Sequence, residues 1–340
     1  MDMMAYLACP RCHASLTRAE GSLSCSACDR SYPLSGDVPQ LGQVESDAGA
    51  NGADRREYWD RGWQARDVGD HAYLHELTSP AQWRTYIRQQ MAAAPGQFYP
   101  EAGAATVRDR VMLEIGCGAG ISSATFGYLG AHYIGIDHSV HAARHSLAHL
   151  RGIGGEGFTA QGNAEALPLR DGCIEFVYSN GVLHHTPKFA TAMDEVYRVL
   201  RPGGTALIAL YSTYSLQFGA VRLQGILKGR LSRASMQRWM GQATEGAWRT
   251  EDRVNPWTET FSVGRLRRFM RRYAVHDLGF RKYGSPIAAI PRIGAGLIRL
   301  GAVRHIDAAL EPLLGGMVIM RFTKAGSGAA GRPAAAAGAE

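Results

Sequence analysis

Three glycines stand at alternate positions in one stretch of the chain, Gly116, Gly118 and Gly120. They follow the apolar run 111–115, which is typical of a buried strand, and precede a sequence typical of a helix start. Because glycine lacks a Cβ, the backbone can turn tightly there and approach a ligand closely. A dinucleotide site would have its third glycine one position later, where this chain has Ile121. The pattern therefore predicts a strand, turn and helix that bind a nucleotide-like ligand other than a dinucleotide.

Three polar side chains narrow the choice of ligand. Glu114 precedes the first glycine by two residues, where its charge would repel a pyrophosphate. Asp137 ends a second apolar run 23 positions later, where a carboxylate can accept hydrogen bonds from both ribose hydroxyls of an adenosine. Asn163 follows a weaker strand pattern, and its amide could meet an adenine edge. An adenosine without phosphates and with an amino-acid end fits these groups, and S-adenosylmethionine is such a molecule.

A second group of reactive side chains lies near the N-terminus, in two Cys-x-x-Cys pairs with 12 residues between them: Cys9, Cys12, Cys25 and Cys28. Each pair can present two thiolates from one tight turn, and two facing pairs form the tetrahedral S₄ site of structural zinc. Leu16 and Leu23 favour a short hairpin between the pairs. We therefore predict a closed Zn²⁺ site. The alternatives are four unpaired thiols or a redox pair, and a redox pair belongs at a helix start in a βαβ unit.

Alternating strand and helix patterns must position these groups. Predicted strands cover 110–115, 133–137, 157–161, 174–179, 205–211, 274–282 and 317–323, and predicted helices cover 121–129, 139–150, 188–200, 223–240 and 262–273. Short apolar strands that alternate with helices indicate a parallel sheet covered on both faces. Right-handed crossovers then place the loops that follow the strands at one sheet edge, so the polar groups above should converge there.

The predicted domain organisation has five parts. They are a zinc-ribbon module at 1–42, a linker at 43–54, an N-terminal helical lid at 55–105, an α/β domain at 106–325 with inserts at 212–262 and 285–314, and a disordered tail at 326–340. The lid prediction rests on aromatic side chains, which could cover a ligand or only pack on the main domain.

The ordered motifs resemble the class I S-adenosylmethionine-dependent methyltransferases of the UbiE or type 11 kind. The matching segments are 113–120, 135–137, 162–169, 179–185 and 196–204. The cysteine segment and its tail at 31–41 resemble the small Trm112-like zinc ribbon found ahead of bacterial methyltransferases. The resemblance implies an α/β fold with a doubly wound Rossmann-like sheet of seven strands, of which the last strand is antiparallel. A small zinc ribbon would precede this fold in the chain.

The same resemblance implies roles for individual residues. The glycines would line the methionine and ribose, Asp137 would hold the ribose, and Asn163 and Ala164 would border the adenine. The family usually has Asp where this chain has Asn163, and the two inserts exceed the minimal fold. The complete predicted cofactor-binding set is Glu114, Gly116, Gly118, Gly120, Asp137, His138, Asn163, Ala164 and Ser179.

Methyl transfer is an in-line displacement at an activated sulfonium carbon, so the protein contributes mainly alignment and exclusion of water. A general base is needed only where the acceptor holds a proton of high pKa. His184 and His185 follow the fourth predicted strand, and His185 is the favoured candidate base; the alternative is a histidine that only shapes the loop. Tyr211 and Tyr214 are weaker candidates for the acceptor pocket.

Composition sets the remaining expectations. The chain has 340 residues, 46% hydrophobic and 20% charged, with a net charge of +7. It has no secretory signal pattern and no apolar run of about 18 residues, so we expect a cytoplasmic protein without a membrane-spanning helix. The basic balance permits contact with nucleic acid or a membrane surface without requiring either.

Three functions remain open on these observations. The first is an S-adenosylmethionine-dependent methyltransferase that acts on a small-molecule acceptor, such as a secondary metabolite, a quinone or a lipid-like compound. The second is an RNA methyltransferase that uses the zinc module and basic helices to hold RNA. The third is a non-catalytic partner that docks another protein through the zinc module. The sequence does not identify the acceptor atom or the oligomeric state.

Overall fold

A computed structural model describes residues 1–42, 50–68, 74, 76–93, 103–244, 255, 257–287, 297 and 303–326. The chain divides into two compact units, of which the first comprises 1–179 with 188–204, and the second 180–187 with 205–340. Most of the predicted linker, 43–49, and of the predicted tail, 327–340, lies outside the described residues. The domain boundaries stay a prediction.

The first unit begins with a four-stranded antiparallel sheet. Its strands, in spatial order, are β1 (Thr17–Ala19), β2 (Ser22–Cys25), β3 (Arg30–Ser35) and β4 (Val38–Pro39). The predicted hairpin between the cysteine pairs is confirmed, because β1 pairs antiparallel with β2. Gly21 lies in the turn at φ +66°, a left-handed conformation that glycine adopts without steric cost.

The large sheet has seven strands and the topology expected from the resemblance. They are β5 (Val111–Ile115), β6 (His132–Asp137), β7 (Glu156–Gln161), β8 (Ile174–Asn180), β9 (Leu200–Tyr211), β10 (Val275–Tyr283) and β11 (Met317–Lys324), in the order β10-β11-β9-β8-β5-β6-β7. Strands β5, β6, β7 and β8 pair in parallel, whereas β11 is antiparallel to both of its neighbours. The predicted doubly wound fold with an antiparallel last strand is confirmed.

Helices of the first unit cover its sheet through apolar stripes. They are α1 (Ala50–Val68), α2 (Pro80–Ala93), α3 (Ala104–Val107), α4 (Ile121–Tyr128), α5 (Val140–Gly152) and α6 (Phe189–Val199). On α6, Phe189, Met193 and Val196 are buried at the helical spacing of one face. Trp83 and Ile87 of α2 pack in a cluster with Ala124 of α4, so α2 is an outer helix held by apolar contact.

The second unit contains helices α7 (Leu216–Leu227), α8 (Arg233–Thr244), α9 (Val263–Met270) and α10 (Arg304–Leu314). The sequence predicted one basic helical stretch where the structure has α7 and α8. Gly229 separates the two helices at φ +71°, and a glycine in this conformation just past a helix end is a common termination signal. In the described part of the chain, no helix is both long and apolar enough to cross a membrane.

One strand begins earlier than predicted. The sequence predicts helix up to residue 200 and strand from Thr205, but β9 starts at Leu200, directly after α6. Pro202 explains the difference, because proline disfavours helical backbone in the residue before it and cannot donate to a helix.

The N-terminal module is joined to the large sheet within the first unit. The Leu41 N–H donates to the Gln161 carbonyl at 2.8 Å, and the Gly42 N–H donates to Gln161 Oε1 at 3.0 Å. Val38 packs in a cluster with Ala143 and Leu147 of α5. The module therefore lies against β7, which is the edge strand of the sheet.

Further contacts join the same module to the loop after β7. The Ala8 N–H donates to the Pro168 carbonyl at 3.0 Å, and the Arg170 N–H donates to the Tyr6 carbonyl at 2.9 Å. The loop that carries Asn163 is thus fixed at its far end by the N-terminal module.

Candidate functional site

The glycine turn has the backbone that its residue types require. Gly116, Gly118 and Gly120 have φ values of +81°, +50° and +79°, all in the left-handed region that disfavours other residues. A Cβ built on Gly120 would lie 2.6 Å from the Ser146 Cα, so this position also needs glycine for close packing of α4 against α5. The turn therefore bends the backbone tightly at the end of β5, as the spacing predicted.

Asp137 organises this turn from the end of the neighbouring strand. Its Oδ2 accepts a hydrogen bond from the Gly118 N–H at 2.9 Å, and its Oδ1 accepts one from the Ser139 N–H at 2.9 Å. Burial raises the pKa of Asp137 to about 6, against the lowering effect of these two hydrogen bonds. Each oxygen retains a further lone pair, which is the capacity needed to accept a ribose hydroxyl.

Glu114 is a second buried carboxyl group. The Tyr133 hydroxyl donates to Glu114 Oε2 at 2.5 Å, and the glutamate is 2% exposed. Burial raises the pKa of Glu114 to about 8, and the charge of Asp137 raises it further. Glu114 is therefore mostly protonated near pH 7, so the negative charge beside the turn comes from Asp137, and it disfavours phosphate and favours a cation.

The remaining predicted cofactor residues lie in the loops after β6 and β7 and near the end of β8. Asn163 is 4% exposed, and its Oδ1 accepts the Glu165 N–H at 2.9 Å. Because the amide oxygen accepts this bond from the loop backbone, Nδ2, which is a donor, is the atom that could meet an adenine acceptor. Ala164 and His138 are half-buried, and the Ser179 Oγ donates to the Ile115 carbonyl at 3.1 Å. Their roles in cofactor binding stay predictions.

Helix α1 crosses the same edge, and its polar contacts were not predicted. Arg55 forms an ion pair with Glu165 at 3.6 Å, next to Asn163. Asp60 Oδ1 accepts the Ser139 hydroxyl at 2.5 Å and the His141 N–H at 3.1 Å, beside Asp137.

Trp63 of α1 also contacts the glycine turn, since a Cβ on Gly118 would lie 2.7 Å from its ring. One helix thus contacts the loops after β5, β6 and β7. The only signal in the sequence was the set of aromatic residues with which the lid was predicted.

The four cysteines form one cluster in the N-terminal module. The Cys9 and Cys28 Sγ atoms are 3.6 Å apart, the Cys12 and Cys25 Sγ atoms are 3.5 Å apart, and all four lie within 4.8 Å of one another. A tetrahedron with metal–sulfur distances of about 2.3 Å has edges of about 3.8 Å, so the donor set fits zinc. It is the only such cluster among the described histidine, cysteine and acidic side chains.

His184 is enclosed in the second unit. It is 0% exposed, and its ring stacks on the Tyr211 ring with a centroid distance of 3.7 Å. The Tyr211 N–H donates to His184 Nδ1 at 3.3 Å, so the neutral ring carries its proton on Nε2. Burial lowers the pKa of His184 well below its usual value, and the adjacent His185 adds to this effect. His184 is therefore neutral at physiological pH.

Three residues from a distant segment surround His185, and we call this set the histidine cage: Asn255, Trp257 and Thr258. Their distances to His185 Nδ1 are 2.8 Å from Asn255 Nδ2, 3.1 Å from the Trp257 carbonyl oxygen and 3.3 Å from Thr258 Oγ1. Asn255 Oδ1 accepts the Trp257 N–H, so Asn255 Nδ2 is a donor that favours an unprotonated Nδ1, whereas the Trp257 carbonyl can accept only from a protonated Nδ1. The cage was not predicted, because the sequence indicates only an insert at 212–262 around these three residues.

Buried polar atoms without a partner accompany this cage. Among the described residues of the second unit, His184 Nε2, Ser212 Oγ and Trp257 Nε1 are buried and have no hydrogen-bond partner. Of the weaker pocket candidates, Tyr211 is stacked on His184, whereas Tyr214 is 68% exposed. Unpaired buried donors are costly, so these atoms are candidates for contact with a polar ligand.

Comparison with protein families identifies two parts of the chain. Residues 113–208 match the methyltransferase domain family Methyltransf_11, and residues 2–37 match the Trm112p-like protein family. The chain therefore carries a methyltransferase domain behind a Trm112p-like module, which confirms the resemblance predicted from the motifs.

Curated relatives agree at the level of the domain. An uncharacterized methyltransferase of Mycobacterium ulcerans is 29% identical over 150 residues, which are 43% of this chain and 56% of the relative. One of Mycobacteroides abscessus is 26% identical over 189 residues, 54% of this chain and 67% of the relative. The chain thus spans little more than half the length of the first of these relatives.

Solved structures resemble the chain only distantly. A phosphoethanolamine N-methyltransferase of Haemonchus contortus with S-adenosylhomocysteine has 17% identity and a TM-score of 0.49. The match covers 79% of this chain and 60% of the Haemonchus chain. A complex of the Haloferax volcanii Trm112 methyltransferase activator with a methyltransferase has 14% identity and a TM-score of 0.47. The match covers 72% of this chain and 96% of the other chain. We draw no functional argument from likeness at this level.

Proposed function

We propose that this protein transfers a methyl group from S-adenosylmethionine to a small-molecule acceptor. The observation that carries the proposal is the glycine turn. Its three glycines have left-handed backbone, and the N–H of Gly118 donates to the buried Asp137 carboxyl group. This carboxyl group could hold the ribose, and its negative charge suits a cationic ligand. We propose that the reaction takes place in the cytoplasm, as expected from the sequence.

The first unit would bind and orient the cofactor. Bound S-adenosylmethionine supplies a methyl group on a sulfonium, already activated for displacement. Asp137 keeps the Gly118 and Ser139 amides in place, and Trp63 covers the turn and would exclude water from it. Asn163 Nδ2 could donate to an acceptor atom of the adenine.

The second unit would handle the acceptor. His185 is the proposed base, because the Trp257 carbonyl lies 3.1 Å from Nδ1 and can accept a hydrogen bond from the ring once the ring has taken up a proton. The neutral His184 would position the acceptor by donating from Nε2. The same donor chemistry suits a small polar or amphipathic acceptor.

RNA remains the second candidate class of acceptor, since α9 is rich in arginine. However, Arg267 and Arg272 lie over the rings of Phe280 and Phe269, and Arg265 forms an ion pair with Glu259. These arginines already have intramolecular partners, which favours the small-molecule class. Docking of another protein by the zinc module is the third, non-catalytic reading, and it predicts little or no binding of S-adenosylmethionine.

The cofactor assignment is tested by calorimetric titration of S-adenosylmethionine into the wild type and Asp137→Asn. The amide can accept at only one atom, so we expect affinity to fall at least tenfold (about 1.4 kcal/mol). Asp37→Asn is the matched control, because Asp37 forms an exposed ion pair with Arg151. Unchanged affinity in a folded Asp137→Asn would refute the assignment.

We further propose that the cysteine cluster holds one structural zinc ion. Metal analysis should find one zinc per chain in the wild type and in Cys173→Ser, whose cysteine lies outside the cluster. Cys25→Ser should lose the metal. Equal zinc content in all three proteins would contradict the assignment.

The acceptor class is decided by incubating the protein with labelled S-adenosylmethionine and either a small-molecule extract or bulk RNA. Label in the extract supports the proposal, and label in RNA supports the second candidate. RNA binding should also weaken steeply with salt, whereas binding of a neutral small molecule should not.

A further inference from the structure

Four strongly exposed apolar side chains of the second unit lie close together in sequence, at the end of α7 and in the turn after it. They are Leu223, Ile226, Leu227 and Leu231, which are 57%, 51%, 78% and 78% exposed, and we call them the hairpin tip. The first three stand at i, i+3 and i+4 and therefore share one helix face. Scattered exposed leucines are ordinary, but a contiguous group marks an interaction site.

Internal packing does not account for this group. The opposite side of α7 holds the buried Phe218 and Gly225, and a Cβ on Gly225 would lie 2.6 Å from the Trp239 ring of α8. The Trp239 Nε1 donates to the Val221 carbonyl at 2.8 Å. Helix α7 is therefore apolar on two faces, of which α8 covers one, and the face with the hairpin tip is open in the part of the chain that the structure describes.

Charge defines the kind of surface that would cover it. The segment 212–244 has five basic residues and no acidic residue: Arg222, Lys228, Arg230, Arg233 and Arg238. Arg222 is used internally, since it donates to the Thr213 carbonyl and to Thr260 Oγ1. Lys228 and Arg230 are exposed and stand between Leu227 and Leu231 in the turn, and Lys228 Nζ also lies 4.5 Å from the centroid of the Trp239 ring.

We propose that the hairpin tip binds the surface of an anionic lipid bilayer. Leucines on one face would enter the boundary between headgroups and acyl chains, while Lys228 and Arg230 extend to lipid phosphates. Nucleic acid would contact the basic residues but gain nothing from three exposed leucines and an exposed isoleucine. A second copy of this face would bring like charges together.

This proposal is independent of the proposed methyl transfer, because vesicle binding is measured without S-adenosylmethionine. The full chain is sedimented with vesicles of phosphatidylcholine alone and with vesicles in which phosphatidylglycerol makes up about a third of the lipid. We expect binding to the anionic vesicles, weaker binding at high salt, and little binding to phosphatidylcholine alone.

Two double variants separate the apolar and charged contributions. Leu227→Ser with Leu231→Ser should weaken binding to anionic vesicles by about tenfold or more. Lys228→Gln with Arg230→Gln should remove the preference for anionic lipid. Ile306→Ser, at a 55% exposed isoleucine of α10, is the matched control and should bind like the wild type.

Two outcomes would overturn the proposal. One is equal vesicle binding by the folded wild type and the double leucine variant, or no binding by either. The other is a wild-type dimer by sedimentation equilibrium that becomes monomeric in the double leucine variant without any vesicle binding, because the hairpin tip would then be a contact between copies.

Discussion

Backbone atoms dominate the candidate cofactor site of the first unit, where Asp137 accepts the N–H groups of Gly118 and Ser139. The histidine cage of the second unit is built differently. There, side chains of Asn255 and Thr258 reach His185 from 70 and 73 positions further along the chain. One site depends on backbone conformation and the other on side-chain identity at long sequence separation.

This difference has a functional meaning. A cofactor that is the same in every reaction cycle can be held by a turn whose geometry glycine alone permits. An acceptor must be recognised by groups that can change without disturbing the fold, and a loop segment provides them. Substitutions should therefore act on stability and cofactor affinity in the first unit, and on rate in the second.

The largest expected effect comes from adding one methyl group to the glycine turn. Gly120→Ala places a Cβ 2.6 Å from the Ser146 Cα at a φ of +79°, so we expect a loss of about 2 kcal/mol or more in the free energy of unfolding. Gly219→Ala in α7 is the matched control, because nothing lies within 4 Å of its Cβ. It should be neutral or stabilise by up to about 1 kcal/mol in urea titrations. Equal losses of unfolding free energy in the two variants would contradict the expected difference between the two units.

A smaller effect on stability but a clear effect on rate is expected for His185→Gln. If His185 is the base, the rate with the identified acceptor should fall roughly a hundredfold, while the dissociation constant for S-adenosylmethionine stays unchanged. Single-turnover kinetics and calorimetry measure the two quantities separately. A fall in cofactor affinity with an unchanged rate would contradict the proposal that the first unit binds the cofactor and the second unit sets the rate.

The smallest effect concerns the pH dependence of stability. The pKa of Glu114 is raised to about 8 in the folded protein, so the folded state binds a proton that the unfolded state has released above about pH 4.5. Stability should therefore fall as pH rises through this range, by up to about 1.4 kcal/mol per pH unit. Glu114→Gln should flatten the slope between about pH 6.5 and pH 7.5, above the range in which Asp137 titrates.

Urea unfolding at several pH values measures this slope. Glu76→Gln is the control, because Glu76 is exposed and its removal should leave the slope as it is. A wild-type slope of zero would show that the buried carboxyl group does not titrate in this window.

The parts of the molecule that the sequence predicted are those governed by local rules. The glycine turn, Asp137 at the end of β6 and the paired cysteines follow from short motifs and from the way parallel strands share an edge. The β9 start at Leu200 was missed although Pro202 signals it, because the helical pattern of α6 continued to the same residue.

The contacts that the sequence did not predict join distant segments. Asp60 of α1 reaches Ser139, and Asn255 reaches His185, through side chains that follow no periodic pattern around them. Such contacts depend on how elements pack, which hydrophobic periodicity alone does not specify. The aromatic residues of α1 indicated a covering helix, but not which loops it covers.

The contact between the N-terminal module and β7 also bears on the order in which the chain folds during synthesis. The cysteines are complete by residue 28, so their cluster can close early, whereas Gly42 bonds to Gln161, 119 residues later. Loop-closure entropy rises only slowly with length, so the late contact remains accessible once β7 has left the ribosome. An edge strand has N–H and C=O groups that can pair with another chain, so it is a template for aggregation. The N-terminal module is synthesised first and would cover β7 when this strand leaves the ribosome.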